Sequence, residues 1–385
     1  MNTNKIIERP FIDELRFNLE KTSQFIQVIL GPRQVGKSTG IDLFLEKYKK
    51  PFFLTSGDEF RGEALSWIKE QWQYALDQGE SSLLIIDEIQ KIPNWSQVIK
   101  GLWDKEIKKS KPLKLVLLGS SSLQLQKGLT ESLTGRFQAI RVYHWSFHES
   151  LKLNKMTIAE YLKYGGYPGS YTLLKNEIKW NQYIQNSIIE TVINKDILTQ
   201  AQIKNPALFR QSFILLSGLP AQEVSYTKLL GQLQDKGNTD LIKSYIELFE
   251  GAFLFKAISK YHPQSLRLRS SSPKIIPLCP ALIDRLFYRN KEDHGRIFES
   301  CVGARLCQLD IPLYYWRDGD YEVDYVIELK KYLIAIEVKS GKRKSSKSLS
   351  EFLKKYPKAK TIFIRPENFE KFDLDPIAYI EKHLN

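Results

Sequence analysis

Gly31-Pro32-Arg33-Gln34-Val35-Gly36-Lys37-Ser38 is the stretch on which the reading of this chain turns. It fits the pattern G-x-x-x-x-G-K-[ST]. An apolar run, Phe25–Leu30, precedes it, and Thr39–Tyr48 behind it has helical spacing. Two glycines let the backbone curl until its N–H groups converge on one anion, and the helix N-terminus adds a positive dipole end. In that frame Lys37 would reach the outer phosphates of a nucleotide and Ser38 would hold Mg²⁺. Pro32, Arg33, Gln34 and Val35 would form the cradle, and Thr39 would follow Ser38 into the helix.

The surroundings extend the pattern. Pro51–Leu54, Leu83–Ile86 and Leu113–Leu118 are short apolar runs bounded by turn residues, which favours buried strands over helices. Ala64–Leu76 has helical spacing. Strand–helix alternation predicts an α/β domain with a parallel sheet. One strand ends in Asp87-Glu88. Asp87 would bind Mg²⁺, usually through water, and Glu88 would polarise the attacking water, which argues for hydrolysis. Another ends in Gly119-Ser120-Ser121-Ser122, where the Ser120 hydroxyl would sense the γ-phosphate or simply make a turn. Arg136 precedes a further strand. It would stabilise transition-state charge, in its own chain or from a neighbouring subunit of a homo-oligomer, or else form a surface ion pair.

Together Gly31–Ser38, Asp87-Glu88, Gly119-Ser120-Ser121-Ser122 and Thr134-Gly135-Arg136 resemble an AAA+ type P-loop ATPase. The closest resemblance is to the prokaryotic group that fuses such a domain to a C-terminal domain of uncertain function. Gly165-Gly166-Tyr167-Pro168 also resembles that group, and the likeness covers essentially the whole chain. It implies ATP and Mg²⁺ as cofactors.

Three domains are expected: 1–147, the ATPase; 148–290, a helical lid and winged-helix-like region; and 291–385, a small α/β unit. In the middle, Trp180–Leu198 and Pro206–Leu216 read as helices. Tyr226–Leu233 and Asp240–Phe249 read as two more around a tight turn, Asp235–Thr239. A strand, Phe253–Ile258, and a polar segment with Arg267 and Arg269 follow. Helix–turn–helix then hairpin is a winged-helix pattern, either binding DNA or serving as a scaffold.

In the last unit a helix (Gly295–Leu309) carries Glu299, one strand carries Asp324, and another ends in Glu337-Val338-Lys339. Strand alternation puts Glu337 and Lys339 on one face. Two carboxylates from adjacent strands can share a hard divalent cation, and a lysine beside them could position water against a phosphodiester. The arrangement resembles the PD-(D/E)xK nuclease superfamily, whose core is the restriction-endonuclease-like fold. The resemblance implies Asp324 and Glu337 as ligands of Mg²⁺ or Mn²⁺, Lys339 as the catalytic lysine and Glu299 as an accessory ligand. An exposed cross-strand charge pair is the competing reading of Glu337 and Lys339.

The formal net charge is +13, and from Lys330 to Lys360 there are eleven Lys/Arg against two Glu. That suits duplex DNA or a solvated surface. Mean hydropathy is −0.33. The longest apolar runs fall short of the roughly 18 residues that span a bilayer, so no membrane is expected. No signal segment is read at Met1–Lys5. Three cysteines without a CxxC pair (Cys279, Cys301, Cys307) suit a reducing cytoplasm. His144 and His148 lack a third zinc ligand and read as a surface helix or the exit from the first domain. The expected function is Mg-dependent ATP hydrolysis coupled to a DNA-associated nuclease-like domain. The alternative is an ATP-dependent switch or remodeller whose last domain binds without cutting.

Overall fold

The computed structural model describes residues 7–21, 24–119, 122–199, 201, 203–233, 238–263, 272–284, 291–340 and 347–384. They divide into two compact units, Met1–Tyr143 with Gln185–Gln202, and His144–Ile184 with Ile203–Asn385. Among the described residues no helix is long and apolar enough to cross a membrane.

The first unit runs α1 (Pro10–Lys21), β1 (Ile26–Leu30), α2 (Lys37–Lys47), β2 (Phe52–Ser56), α3 (Ala64–Asp77), β3 (Leu83–Asp87), α4 (Trp95–Glu106), β4 (Lys114–Leu118), α5 (Ser122–Ser132) and β5 (Phe137–Arg141). All five strands are parallel, in the order β2-β3-β4-β1-β5. β1 is wholly buried, as a strand covered on both faces must be, and is apolar but for Gln27, whose Oε1 accepts from Asn18 Nδ2 at 3.0 Å. β2 lies at the sheet edge and leaves Phe52 and Leu54 exposed. β4 sits between β1 and β3, so chain order and spatial order part company beside β1. Ligands of open α/β sheets bind at the carboxyl ends of the strands near such a reversal. Both the phosphate loop and Asp87 stand at those ends.

The second unit opens with α6 (Phe147–Asn154), α7 (Ile158–Tyr164) and α8 (Glu177–Gln182). α6 and α7 begin with capping boxes, Ser146 with Glu149 and Thr157 with Glu160. Between α7 and α8 lies Gly165-Gly166-Tyr167-Pro168. A Cβ on Gly166 would fall 2.1 Å from the Trp145 carbonyl oxygen. The Tyr167 hydroxyl lies 2.9 Å from His144 Nε2 in the core. His144 is therefore a buried core histidine and not part of a surface helix; of the two readings it fits the exit from the first unit, which ends at Tyr143. His148 is half-buried, and its backbone N–H donates to Asp373 Oδ2 at 2.7 Å. Beyond α8 the expected single helix Trp180–Leu198 relaxes into widened π-type turns, Tyr183–Ile189 and Val192–Leu198. Residues 185–202 pack with the first unit.

Next come α9 (Pro206–Ser217), β6 (Gln222–Glu223), α10 (Tyr226–Gln232), α11 (Thr239–Gly251), β7 (Phe255–Lys260) and β8 (Lys274–Pro277). The chain ends with α12 (Lys291–Leu306), β9 (Leu313–Asp318), β10 (Tyr321–Leu329), β11 (Tyr332–Val338), α13 (Lys347–Lys355), β12 (Lys360–Ile364), α14 (Pro366–Leu374) and α15 (Pro376–Lys382). β9, β10 and β11 form an antiparallel meander, and β12 returns parallel to β11. Trp316, Val323, Val326 and Ala335 of the meander pack against Leu349 and Phe352 of α13. β7 pairs parallel with β9 and antiparallel with β8. One seven-stranded sheet results, β12-β11-β10-β9-β7-β8-β6. It runs across the expected boundary at 290. Asp235, Lys236, Gly237, Arg267, Arg269 and the basic residues at 342–344 lie outside the described residues.

Candidate functional site

The phosphate loop leaves β1 at Leu30 and enters α2 at Lys37. Gly36 caps α2 at φ 86°, a left-handed conformation that costs glycine nothing. Gly31 lies against β5's exit, where a Cβ would come 2.0 Å from the Val142 carbonyl oxygen. Arg9 braces the loop from outside, donating to the Val35 carbonyl (2.9 Å) and the Tyr143 carbonyl (3.1 Å). Pro32 and Val35 are buried, whereas Gln34, Ser38 and Thr39 are exposed.

Lys37 Nζ donates to the carbonyls of Gly31 (2.9 Å) and Pro32 (2.6 Å). Burial pushes its pKa down to about 8, against the pull of Glu88 and Asp87. Ser38 Oγ donates to Asp87 Oδ2 at 2.7 Å, and the Glu88 backbone N–H donates to Asp87 Oδ1 at 2.8 Å. A hydroxyl and a carboxylate meeting beside a lysine are hard oxygen donors and fit Mg²⁺. Glu88 has φ 49°, and Gln90 Nε2 donates to its Oε2 at 2.5 Å. Arg33 forks onto Asp196, which is buried in the Val192–Leu198 turn. Burial raises the Asp196 carboxyl above its ordinary value, and the Arg33 fork works the other way.

Sequence reasoning singled out Lys37, Ser38, Asp87 and Glu88, and the structure brings them together. Ser120 lies outside the described residues. Arg136 is elsewhere. Its carbonyl accepts from Ile26 N–H where β1 begins, at the opposite strand ends from the loop, and its guanidinium forks onto Asp104 (2.6 and 3.0 Å). The in-chain role for Arg136 is thereby corrected, since a five-residue strand separates it from the phosphate loop. Arg9, Gln90 and Asp196 were not foreseen; Arg9 and Asp196 act on partners remote in sequence, which no local pattern signals, whereas Gln90 stands two residues from Glu88.

In the C-terminal part, Glu299 comes from α12, Glu322 and Asp324 from β10, and Glu337 from the end of β11. Pairing of β10 with β9 shifts between Val323 and Val326, an irregularity of the kind that re-aims side chains. Carboxylate oxygens of Glu299, Glu322 and Asp324 lie within 4.8 Å of one another. Asp324 Oδ2 accepts the Val338 backbone N–H at 2.7 Å. Glu337 Oε2 pairs with Lys339 Nζ at 2.5 Å. Burial, then the Asp324 charge, pushes the Glu337 carboxyl up to about 7. Glu299 is pushed up to about 8 by burial and then Asp324, against Lys274.

Glu322, Arg317 and Lys274 are the members that sequence reasoning missed, and Lys274 is central. Its ammonium lies 2.7 Å from Glu299 Oε1, 2.7 Å from Glu322 Oε1 and 3.3 Å from the Asp324 carbonyl oxygen. Its side chain is 0% exposed. Burial works to lower its pKa, but Glu299, Asp324 and Glu322 carry it above the ordinary lysine value. Arg317 adds a second cation, reaching Glu223 Oε2 at 2.9 Å and pairing with Glu322. Glu299, expected as an accessory metal ligand, is thus already engaged by a lysine. The one available signal was a lone Lys opening the apolar run Lys274-Ile275-Ile276-Pro277.

Residues 23–151 match the family model described as an AAA domain. Residues 155–291 and 294–377 match two further models, each described as a domain of unknown function (DUF8612 and DUF4143). An uncharacterized protein of Haemophilus influenzae is 22% identical over 382 residues, covering 94% of each chain. An uncharacterized protein of Methanocaldococcus jannaschii is 25% identical over 384 residues, covering 91% of this chain and 84% of its own. Among solved structures, the Thermotoga maritima RuvB Holliday junction branch migration motor aligns at 16% identity over 65% of this chain and 89% of its own. The TM-score is 0.34, a likeness too slight to carry an argument. The parallel sheet, the loop and the match over residues 23–151 support an AAA-type P-loop ATPase domain, a fold that implies ATP as its ligand.

Proposed function

We propose that the chain hydrolyses ATP with Mg²⁺ at the phosphate loop and that hydrolysis is coupled to a C-terminal unit acting on duplex DNA. The observation that carries the first half is the convergence of Ser38, Asp87 and Glu88 beside buried Lys37. Lys37 holds the outer phosphates, and Glu88, steadied by Gln90, orients the attacking water and accepts its proton. Mg²⁺ held there by Ser38 and Asp87 would neutralise charge building on the phosphate oxygens. Arg136 enters this reading only from a neighbouring copy of the chain.

The second half rests on topology and chemistry together. The order α12-β9-β10-β11-α13-β12 supports the restriction-endonuclease-like reading, with Asp324 and Glu337 as hard ligands of Mg²⁺ or Mn²⁺ and Lys339 as the lysine that positions water. The order α9-β6-α10-α11-β7-β8 supports a winged-helix reading of the middle part. The charge of +13 suits a phosphate backbone. Action inside a cell follows from this reading.

The test measures ATP turnover by the full chain, with and without duplex DNA, beside Lys37→Ala and Glu88→Gln. Plasmid cleavage in Mg²⁺ or Mn²⁺ is measured in parallel, with Lys339→Ala as control. Turnover lost in both N-terminal variants and cutting lost in Lys339→Ala are expected. Turnover without cutting favours the second reading, a switch whose last domain binds and does not cleave. Lys274, which already neutralises part of the cluster, is the observation that favours it.

A further inference from the structure

We infer that the Lys274 ammonium fills the place of a second divalent cation in the C-terminal cluster, leaving a single metal position at Asp324 and Glu337. The inference rests on the metal-dependent reading of that site.

An ammonium has three N–H donors and no acceptor. Lys274 has three oxygens within reach: Glu299 Oε1, Glu322 Oε1 and the Asp324 carbonyl. Tyr325 and Tyr315 close the cage, with ring centroids 5.3 and 5.9 Å from the nitrogen. The Tyr325 hydroxyl donates to the Glu299 carbonyl at 2.8 Å and steadies α12 against β10. A buried charge persists only where it is paired and hydrogen-bonded, and this one is.

The carboxylates Glu299, Glu322 and Asp324 have the mutual spacing that hard cations favour. A metal ion needs ligand oxygens at about 2.0–2.6 Å, closer than the ammonium stands. With Lys274 fully buried among them, that half is taken. The other half differs. Asp324 Oδ2 is oriented by the Val338 N–H, and Glu337 faces Lys339, whose side chain is 25% exposed. The cluster therefore divides into a half closed by the fully buried Lys274 and a half where Glu337 is 2% exposed but its lysine, Lys339, is 25% exposed and can swing aside for a diffusible cation.

The test counts Mn²⁺ bound per nucleotide-free full-length chain, by calorimetry and by loss of the free-ion electron paramagnetic resonance signal. Asp87→Asn is present in every sample to silence the N-terminal site. Lys274→Met keeps the stem and removes the charge. It is expected to bind one Mn²⁺ more than its parent, and to lose the extra ion when Glu322→Gln is added. Equal counts in parent and Lys274→Met overturn the inference. Should Lys274→Met fail to fold, Glu322→Gln alone decides. An unchanged count supports the lysine as the resident cation of that half, and a count lower by one overturns it. Glu337→Gln tests the underlying reading separately. A count that does not fall there removes the Asp324–Glu337 metal position, while the increment in Lys274→Met still judges Lys274.

Discussion

Arg33, inside the phosphate loop, closes a two-pronged fork on Asp196, with Nε 2.7 Å from Oδ2 and Nη2 2.5 Å from Oδ1. The loop is thereby tied to residues 185–202, the segment that leaves the second unit's sequence to pack with the first. A triphosphate brought to Lys37 is a competing anion for the same guanidinium. Asp196→Asn should therefore tighten ATP binding about three- to tenfold, since it removes a nearby negative charge and frees Arg33. It should also cost about 1–3 kcal/mol of stability. Calorimetric affinities for ATP and ADP check this, and an ATP affinity equal to wild type speaks against the competition.

Lys37 gives the nucleotide site a pH dependence. Its pKa is pushed down to about 8 from the ordinary 10.5. Phosphates favour its charged form, so ATP affinity should be level below about pH 8 and fall by about tenfold per unit above it. For the nucleotide-free fold the sign reverses. The unfolded chain binds the extra proton between pH 8 and 10.5, so this residue's contribution to stability rises with pH across that window. Proton uptake on ATP binding, measured in buffers of different ionisation enthalpy, is the direct check.

Glu88→Gln should leave ATP binding near wild type and slow turnover about 10²–10⁴-fold. The amide keeps the shape and the Gln90 contact within reach but cannot accept a proton. Single-turnover kinetics separate that outcome from a binding defect.

Gly166→Ala should destabilise the second unit by about 1–3 kcal/mol, because the methyl would meet the Trp145 backbone. The readout is a lower melting temperature with Lys37-dependent nucleotide affinity unchanged. Gly101→Ala, with open space around its Cβ position inside α4, is the control and should be slightly stabilising.

Lys274→Ala should cost about 2–4 kcal/mol by leaving Glu299 and Glu322 as half-buried carboxylates without their lysine. Adding Glu322→Gln should recover part of that loss, and denaturant melts of the single and double variants measure the coupling.

The first sheet was legible because buried parallel strands read as short, mostly apolar runs, as Ile26–Leu30 and Leu83–Ile86 do. The phosphate loop was legible because its chemistry is local: glycine, lysine and serine at fixed spacing. α1 was not read, although Phe11, Ile12, Leu15 and Leu19 give it a buried face. The widened turns after α8 were missed for a different reason. Val192, Ile193 and Ile197 keep a helix-like apolar spacing, and periodicity does not distinguish an α turn from a π turn. Of the two readings of Arg136, the ion pair is the one seen, with Asp104; a residue that precedes a strand of a parallel sheet lies at the end opposite the phosphate loop, but only the structure shows that the sheet is parallel at β5. Lys274 lies 25 residues from Glu299 and 50 from Asp324, so only tertiary structure brings it to them.

The pairing of β7 with β9 has a consequence for how such chains can be recombined. A gene cut at residue 290 respects the border between two sequence families, 155–291 and 294–377, yet it severs one continuous sheet. The downstream fragment would carry Glu299, Glu322 and Asp324 without the lysine that neutralises them, and β9 would become a raw edge. The upstream fragment would carry Lys274 with no carboxylates around it. Those two segments therefore form one heritable module, and a swap that exchanges one half must supply the other half's charge as well as its strand.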